Sequence, residues 1–320
     1  MSDEAFIYLP DPSEENAPYS KGKNNRQNSG LSGAEYKPDV ASKYISCANK
    51  ENNYHFHHGR SIAEEVSEDF LPHFHPVYEI FVYIGGKADF SIETAVFRLN
   101  PYDIIIVPPY TIHQPLPTRG EMFERYVINV FPDFFDTLDC PEYRDAFTNT
   151  PLLKHKIPGH IVKRSSIMNI LNFFGDEFDG RGYQRPLTGY KIAELLYHIN
   201  TIEHFETFDT INNVVQEIIS YIDKNFDKIT DVKSVTDNFF YSKNYLSKLF
   251  KKSTGITIPK YINIKKMENV EKLYKQGKSL THACIEAGFV SYDNFAYTYK
   301  AEFGISPRKG LAKYRLNNQH

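Results

Sequence analysis

Two stretches toward the C-terminal end of this 320-residue sequence repeat one small pattern, and that repeat limits the possible folds more than any other feature. The first runs from Asp231-Val232-Lys233-Ser234-Val235-Thr236 to Ser242-Lys243-Asn244-Tyr245-Leu246-Ser247-Lys248-Leu249-Phe250-Lys251 and closes at Gly255. The second runs from Thr281-His282-Ala283-Cys284-Ile285-Glu286-Ala287-Gly288-Phe289 to Ser291-Tyr292-Asp293-Asn294-Phe295-Ala296-Tyr297-Thr298-Tyr299-Lys300 and closes at Gly304. Asp231 and Thr281 are suited to cap a first short helix, and Ser242 and Ser291 a second. Leu246, Leu249 and Phe250 recur as Phe295, Thr298 and Tyr299, the i, i+3, i+4 spacing of one buried helix face. Two short helices joined by a tight turn form a helix-turn-helix, whose second helix fits the major groove of DNA.

The segment between the copies sets their separation. Thr257 can cap a helix with Pro259 in its first turn, and Gly277 can end it. About 18 residues at ~1.5 Å each give a rod of ~27 Å. That is close to the ~34 Å repeat of B-DNA, so the two second helices could enter successive major grooves on one face.

Here the chain resembles the AraC/XylS family of bacterial transcription regulators. The residues that carry the likeness are Tyr245-Leu246-Ser247-Lys248-Leu249-Phe250-Lys251-Lys252-Ser253-Thr254-Gly255, Lys266-Met267 with Leu273, and Gly288-Phe289, Asn294-Phe295, Lys300 and Phe303-Gly304-Ile305-Ser306-Pro307. The likeness covers roughly residues 215 to 309. Departures from the family pattern are Thr236 at a position usually Ala, Phe240 at the usual turn Gly, Tyr297 where Arg is frequent, and Gly310-Leu311 after the last helix.

Charge is divided unevenly. Residues 209–320 carry 18 Lys and Arg against 11 Asp and Glu, a net of +7, while the rest of the chain carries −10. A basic end on an acidic body suits binding of nucleic acid through that end. Three cysteines, Cys47, Cys140 and Cys284, form no disulfide pattern and suit a reducing interior. No apolar run reaches ~18 residues, so no membrane span is expected. The start has no signal-peptide pattern, and a cytoplasmic location is expected.

Taken in order, residues 1–40 read as a polar, disordered leader. Short apolar runs then follow at Tyr44–Cys47, Tyr54–Phe56, Val77–Ile84, Ala88–Ile92, Val96–Leu99, Ile104–Val107 and Arg125–Val130, the pattern of a sandwich or barrel. Within them stand His73, His75 and Glu79, with Gly86 beyond, and later Pro101-Tyr102-Asp103, Pro108 and His113. This resembles the two cupin motifs and the sensor half of many AraC-type regulators, with Tyr102 and Tyr110 each standing at a position usually Gly. Equal parity on one strand places His73, His75, Glu79, Phe81 and Tyr83 on one side, toward the interior, with His113 arriving from a facing strand end. These six residues are the expected small-molecule anchors. No cofactor is expected; a divalent metal on His73, His75, Glu79 and His113 is the alternative. His55, His57 and His58 read as ordinary strand and turn residues.

Helical periodicity begins after Cys140. Ile167, Ile170, Leu171 and Phe174 form one stripe, Ile192, Leu195, Leu196 and Ile199 another, and Val215, Ile218, Ile219 and Ile222 a third. The reading is an α+β multidomain chain: a leader at 1–40, a cupin-like sensor barrel at 41–137, a helical dimerisation and linker segment at 138–208, and an all-α tandem helix-turn-helix domain at 209–320. Residues facing away from the core, Lys243, Asn244, Ser247 and Lys248 in the first unit and Tyr292, Asp293, Ala296 and Tyr297 in the second, are the expected DNA contacts. Lys251, Lys252, Lys265, Lys266, Lys300, Arg308 and Lys309 are candidates for phosphate. The resemblance implies a homodimeric regulator of promoter DNA, an activator working with RNA polymerase, responding to a small effector such as a sugar. A metal-dependent cupin enzyme joined to a DNA-binding domain is the reading from another class.

Overall fold

The computed structural model describes residues 43–48, 53–63, 70–148, 155–176, 184–202 and 213–312. The leader at 1–40 and the linker expected at 204–210 lie outside them. Among the described residues nine strands come first: β1 (Lys43–Ala48), β2 (Tyr54–Ile62), β3 (Tyr78–Gly86), β4 (Ala88–Ile92), β5 (Ala95–Arg98), β6 (Ile104–Val107), β7 (His113–Pro117), β8 (Met122–Val130) and, after two helices, β9 (Lys156–Ile157). They form a six-stranded sheet in the order β1-β2-β8-β3-β6-β9 and a three-stranded sheet in the order β5-β4-β7.

Both faces of the larger sheet are covered, which is why its central strands read as continuous apolar runs rather than as alternation. On β3, odd positions point between the sheets: Phe81 and Tyr83 join Phe90, Phe97, Val107 and Phe123 in one core. Even positions Ile80 and Val82 point the other way, into a second core with Phe56, Tyr126, Phe174 and Leu195. That outer core is built by the helices α1 (Pro132–Thr137), α2 (Asp145–Thr148), α3 (Gly159–Val162), α4 (Ile167–Asp176) and α5 (Gln184–Thr201). The stripes at Ile167, Ile170, Leu171 and Phe174, and at Ile192, Leu195, Leu196 and Ile199, are fully buried there. Strands β7 and β9 escape the sequence pattern, since His113-Gln114-Pro115-Leu116-Pro117 carries two prolines and Lys156–Ile157 is only two residues long.

The remaining helices are α6 (Asn213–Asn225), α7 (Val232–Thr236), α8 (Lys243–Thr254), α9 (Ile258–Lys275), α10 (Leu280–Glu286), α11 (Tyr292–Phe303) and α12 (Pro307–Gly310). Their ends follow capping chemistry closely. Asp231, Ser242, Thr257 and Ser291 each accept a hydrogen bond from a backbone N–H three residues on, as expected. The first helix of the second unit departs from expectation: Ser279, not Thr281, caps it, accepting from His282 N–H. Starting two residues earlier lets that helix gain half a turn before Gly288. Helices α8 and α11 both end on a left-handed glycine, Gly255 at φ 78° and Gly304 at φ 69°.

The 18-residue helix α9 runs through the middle of this domain and buries Tyr261, Ile264, Met267 and Val270 in the core shared by both units. Lys266 on it is also buried, and its ammonium donates to the carbonyls of Ile229 at 2.8 Å, ahead of the first unit, and Gly288 at 2.7 Å, in the turn of the second.

Candidate functional site

The segment just before β3 and the loop just before β7 are joined by backbone hydrogen bonds: His73 and His113 exchange N–H···O contacts at 3.1 and 3.0 Å, and Tyr110 N–H donates to the His75 carbonyl at 2.8 Å. Their side chains therefore sort to two sides. His73, His75 and His113 turn inward, and one nitrogen from each lies within 4.8 Å of the others. Glu79, first of the inward residues of β3, presents Oε2 to them at 3.0 Å from His75 Nε2 and 3.7 Å from His113 Nε2. Four of the six expected anchors thus lie together, but His73 and His75 precede β3 across bends at Pro76 and Val77, so the bridge from His73 to His113 places them rather than the parity of one strand. Phe81 and Tyr83 share their side but belong to the inter-sheet core: the Phe81 ring lies tilted against Phe90, centroids 4.8 Å apart, and Tyr83 lies 6.2 Å from Phe123.

The proton positions in this cluster follow from the carbonyls around it. His73 Nδ1 donates to Leu71 O at 2.8 Å, His75 Nδ1 to Val77 O at 3.0 Å, and His113 Nδ1 to Thr111 O at 2.9 Å. A carbonyl only accepts, so each Nδ1 carries a proton and each neutral ring turns a lone pair, at Nε2, toward the centre. The carboxylate of Glu79 is also an acceptor. His75 Nε2 facing Glu79 at 3.0 Å therefore needs positive charge between them, from a second proton or from a cation. His113 Nε2 is fully buried and makes no hydrogen bond. Burial raises the Glu79 carboxyl, but His113 and His75 outweigh it and hold the group well below the carboxylate range. Burial, then the neighbouring His113 and His75, lower His73 to about 3.

Three imidazole Nε2 atoms and one carboxylate, each imidazole oriented by a carbonyl on its other nitrogen, are the donors and the outer-shell support that a divalent transition metal takes. The cupin-like motif residues noted in the sequence would imply such an ion, and His113 Nε2, buried without a hydrogen bond, is placed to be one of its donors.

Sequence reasoning missed part of this wall. The register pairs His55 with Asn129 and Asn129 with Glu79 across three strands, so all three share the inner face. His57, two residues on, faces the same way and lies 3.1 Å from His55. Burial lowers His55 to about 4; for His57, burial with the charge of His55 brings it to about 3. Asn129 Oδ1 is buried without a hydrogen bond. Only the pairing of β2 with β8, invisible in a local window, reveals the row. His58 points to the opposite face, bonded to Glu124 at 2.8 Å.

At the other end of the molecule, Lys243, Asn244 and Lys248 are exposed along the start of α8, and Ser247 is half-buried beside them. On α11, Asp293 is exposed and Tyr297 is 77% exposed, while Ala296 is half-buried. Tyr292 is less free than its spacing suggested: its ring packs 6.2 Å from Phe295 with the Arg308 guanidinium over it. Exposed residues outside the expected set of contacts include Tyr245, Asn294 and the turn residue Phe240, whose side chain is wholly in solvent. Two phosphate candidates are otherwise engaged. Lys266 is spent on the Ile229 and Gly288 carbonyls, and Lys265 lies among Asp223, Glu268 and the Tyr261 ring. Lys251, Lys252, Lys300, Arg308 and Lys309 are exposed.

Residues 235–312 match the family described as a helix-turn-helix domain, and residues 60–154 the family described as an AraC-like ligand binding domain. Among curated proteins, the chain is 19% identical to an uncharacterized HTH-type transcriptional regulator, YbfI, of Bacillus subtilis, over 70% of this chain and 80% of that one. It is 29% identical to the multiple antibiotic resistance protein MarA of Salmonella typhimurium, over 33% of this chain and 81% of MarA. Among solved structures, ToxT of Vibrio cholerae aligns over 81% of this chain and 98% of its own, with a TM-score of 0.35 and 13% identity. No described helix is long and apolar enough to cross a membrane.

Proposed function

The chain belongs to the AraC family of transcription regulators, and on that premise we propose that it reads promoter DNA with α8 and α11 and answers to an effector held on the inner face of its sandwich. The observation that carries the DNA reading is the first recognition helix. One face, Leu246 and Phe250, is fully buried, while Lys243, Asn244 and Lys248 stand free at the end that enters a groove. Lys is a donor for guanine O6 and N7, and Asn pairs with adenine N6 and N7. Ligand response is assigned to His73, His75, Glu79 and His113, which converge inside the AraC-like domain.

The chain works as a homodimer in this reading. Helix α5 buries one stripe, yet Leu187, Tyr190 and Tyr197 form a second stripe on its solvent side, exposed by 43%, 72% and 51%. A second copy of the same stripe would cover it. Activation through RNA polymerase in the cytoplasm completes the proposal, by analogy with the family. The metal-dependent enzyme reading needs room for a substrate beside the four donors; there the ring of Phe90 lies parallel to His113, centroids 6.0 Å apart. We assign no reaction to the chain.

The test is selection of duplexes from a random library by the full chain, followed by footprinting. Two protected major-groove segments about 10–10.5 bp apart are expected from each subunit. Inserting one residue at Gln276 turns the second unit by ~100° and should abolish the outer segment. A single protected segment in the parent protein, unchanged by the insertion, would overturn the tandem reading.

A further inference from the structure

Among the described residues, the three most exposed large apolar or aromatic side chains are Phe240, Val290 and Tyr297, in that order. All three belong to the helix-turn-helix units. Tyr297 lies on the outer face of α11, while Phe240 and Val290 stand in the turns, one in each unit. Phe240 comes two residues before the cap Ser242, and Val290 one residue before the cap Ser291. Each therefore sits where the chain enters a recognition helix, beside the end that carries the outward side chains.

Scattered exposed apolar residues are ordinary and need no purpose. These are not scattered. Tyr241 and Tyr245, each about half exposed, follow Phe240 with their rings 5.3 Å apart, so three aromatic side chains reach water within six positions. Nor does the fold ask for Phe240: its turn has no left-handed residue, so many side chains would fit, and the ring lies wholly in solvent. The second turn is built differently. It bends at Gly288, φ 89°, and sends Phe289 inward, yet it still presents an apolar side chain at Val290. Two turns of different construction thus arrive at the same display. What meets these points must also suit the charge around them. Residues 239–254 hold four lysines and no acid. Interfaces between proteins are poor in lysine, whereas a polyanion that carries apolar spots matches both features. The major groove of DNA offers one such spot, the C5 methyl of thymine, and phenylalanine is among the side chains that take it. A recognition helix brings its N-terminal end to the base edges, so a turn residue just ahead of it arrives at the same groove.

We propose that Phe240 and Val290 each seat on a thymine methyl in the groove their unit enters, which selects thymine at two positions about one helical turn, 10–10.5 bp, apart. The inference rests on the DNA reading above and adds to it a base preference set from the turns rather than from the helices. Burying one methyl group favours binding ~4-fold. The phenyl ring covers more of a methyl than the valine does, so the thymine under Phe240 is the more strongly selected of the two.

The test starts from duplexes selected by the full chain out of a random library. Each thymine is then replaced singly by deoxyuridine, which lacks only the methyl. The parent should lose ~4-fold at two positions 10–10.5 bp apart. Phe240→Ala should bind the selected duplex at least ~4-fold more weakly than the parent and become indifferent to uridine at the first position alone. Val290→Ser should do the same at the second, and Phe240→Leu, still apolar, should keep most of the sensitivity. Both side chains lie in solvent, so thermal unfolding of the variants should match that of the parent. A parent indifferent to uridine throughout overturns the proposal, and sensitivity that survives Phe240→Ala or Val290→Ser overturns that contact. Parent-like affinity in Phe240→Ala, with transcription from the same duplex lost, would give the ring to a protein partner and overturn it as well. A chain that selects no duplex refutes the DNA reading itself, and the thymine contacts fall with it.

Discussion

The two helix-turn-helix units are built alike and present different surfaces. Both recognition helices open on a serine that caps three residues on, and both close on a left-handed glycine. Both bury residues at the same spacing, Leu246 and Phe250 in one, Phe295 and Tyr299 in the other. The turns and outward faces differ. The second turn depends on Gly288 at φ 89°, where a Cβ would meet the Asp227 carbonyl at 2.3 Å; the first has no left-handed residue and throws Phe240 into solvent. Lysines and an amide line the first outward surface, an acid and a tyrosine the second. Positions that hold the recognition helices answer to packing and capping, and recur at equivalent places in both units. The outward positions proposed to read bases would answer to the operator instead, and differ between the units.

The sharpest way to break this comparison is to attack the shared scaffold. Phe250→Ala and Phe295→Ala should each destabilise the domain by ~3–5 kcal/mol, as for other buried aromatic truncations. Denaturant unfolding of the two variants should give similar losses; a loss confined to one would show that the units are not equivalent. The surfaces should separate the units instead. Lys248→Ala should cost ~1–3 kcal/mol on selected DNA and relax the preference at one base pair. Tyr297→Ala, which removes no charge, should cost less than half as much. Equal losses on selected and random duplexes for Lys248→Ala would remove its base-reading role, and Lys251→Ala provides the contrast, lowering the salt slope by about 1. The smallest effects belong to the caps: Ser242→Ala and Ser291→Ala should each cost ~1 kcal/mol in thermal or denaturant unfolding. Gly255→Ala should exceed Gly304→Ala, because a Cβ at Gly255 would meet Pro72 Cγ at 2.3 Å.

Much of this was readable from local chemistry. Four of the five helix caps tied to the two units and their spacer, the spacer's length and the buried stripes of α4, α5 and α6 need only sequence spacing, since each interaction spans three or four residues. Glu79 meets His75 within the same short range, four residues away, although a bend at Pro76 and Val77 rather than one continuous strand separates them. What escaped depends on pairing between distant segments. Asn129 and His55 join the Glu79 wall only through the register of β2 with β8, and nothing in either strand announces it. Tyr102 and Tyr110 looked like departures from a glycine pattern; the structure keeps the left-handed backbone at both, φ 74° and 59°, with tyrosine in place. Lys266 looked like a free cation because its two carbonyl partners lie 37 and 22 residues away.

That lysine has a consequence for how the domain comes apart. A duplicated motif invites a picture of two beads on a rod, each able to melt alone. Here one buried ammonium is divided between the approach to one bead and the turn of the other, and opening either end leaves a charge without its acceptors in a dry interior. Fraying of one unit is therefore penalised by the other. The pair should exchange its most protected amides in a single cooperative event, one foldon in place of two.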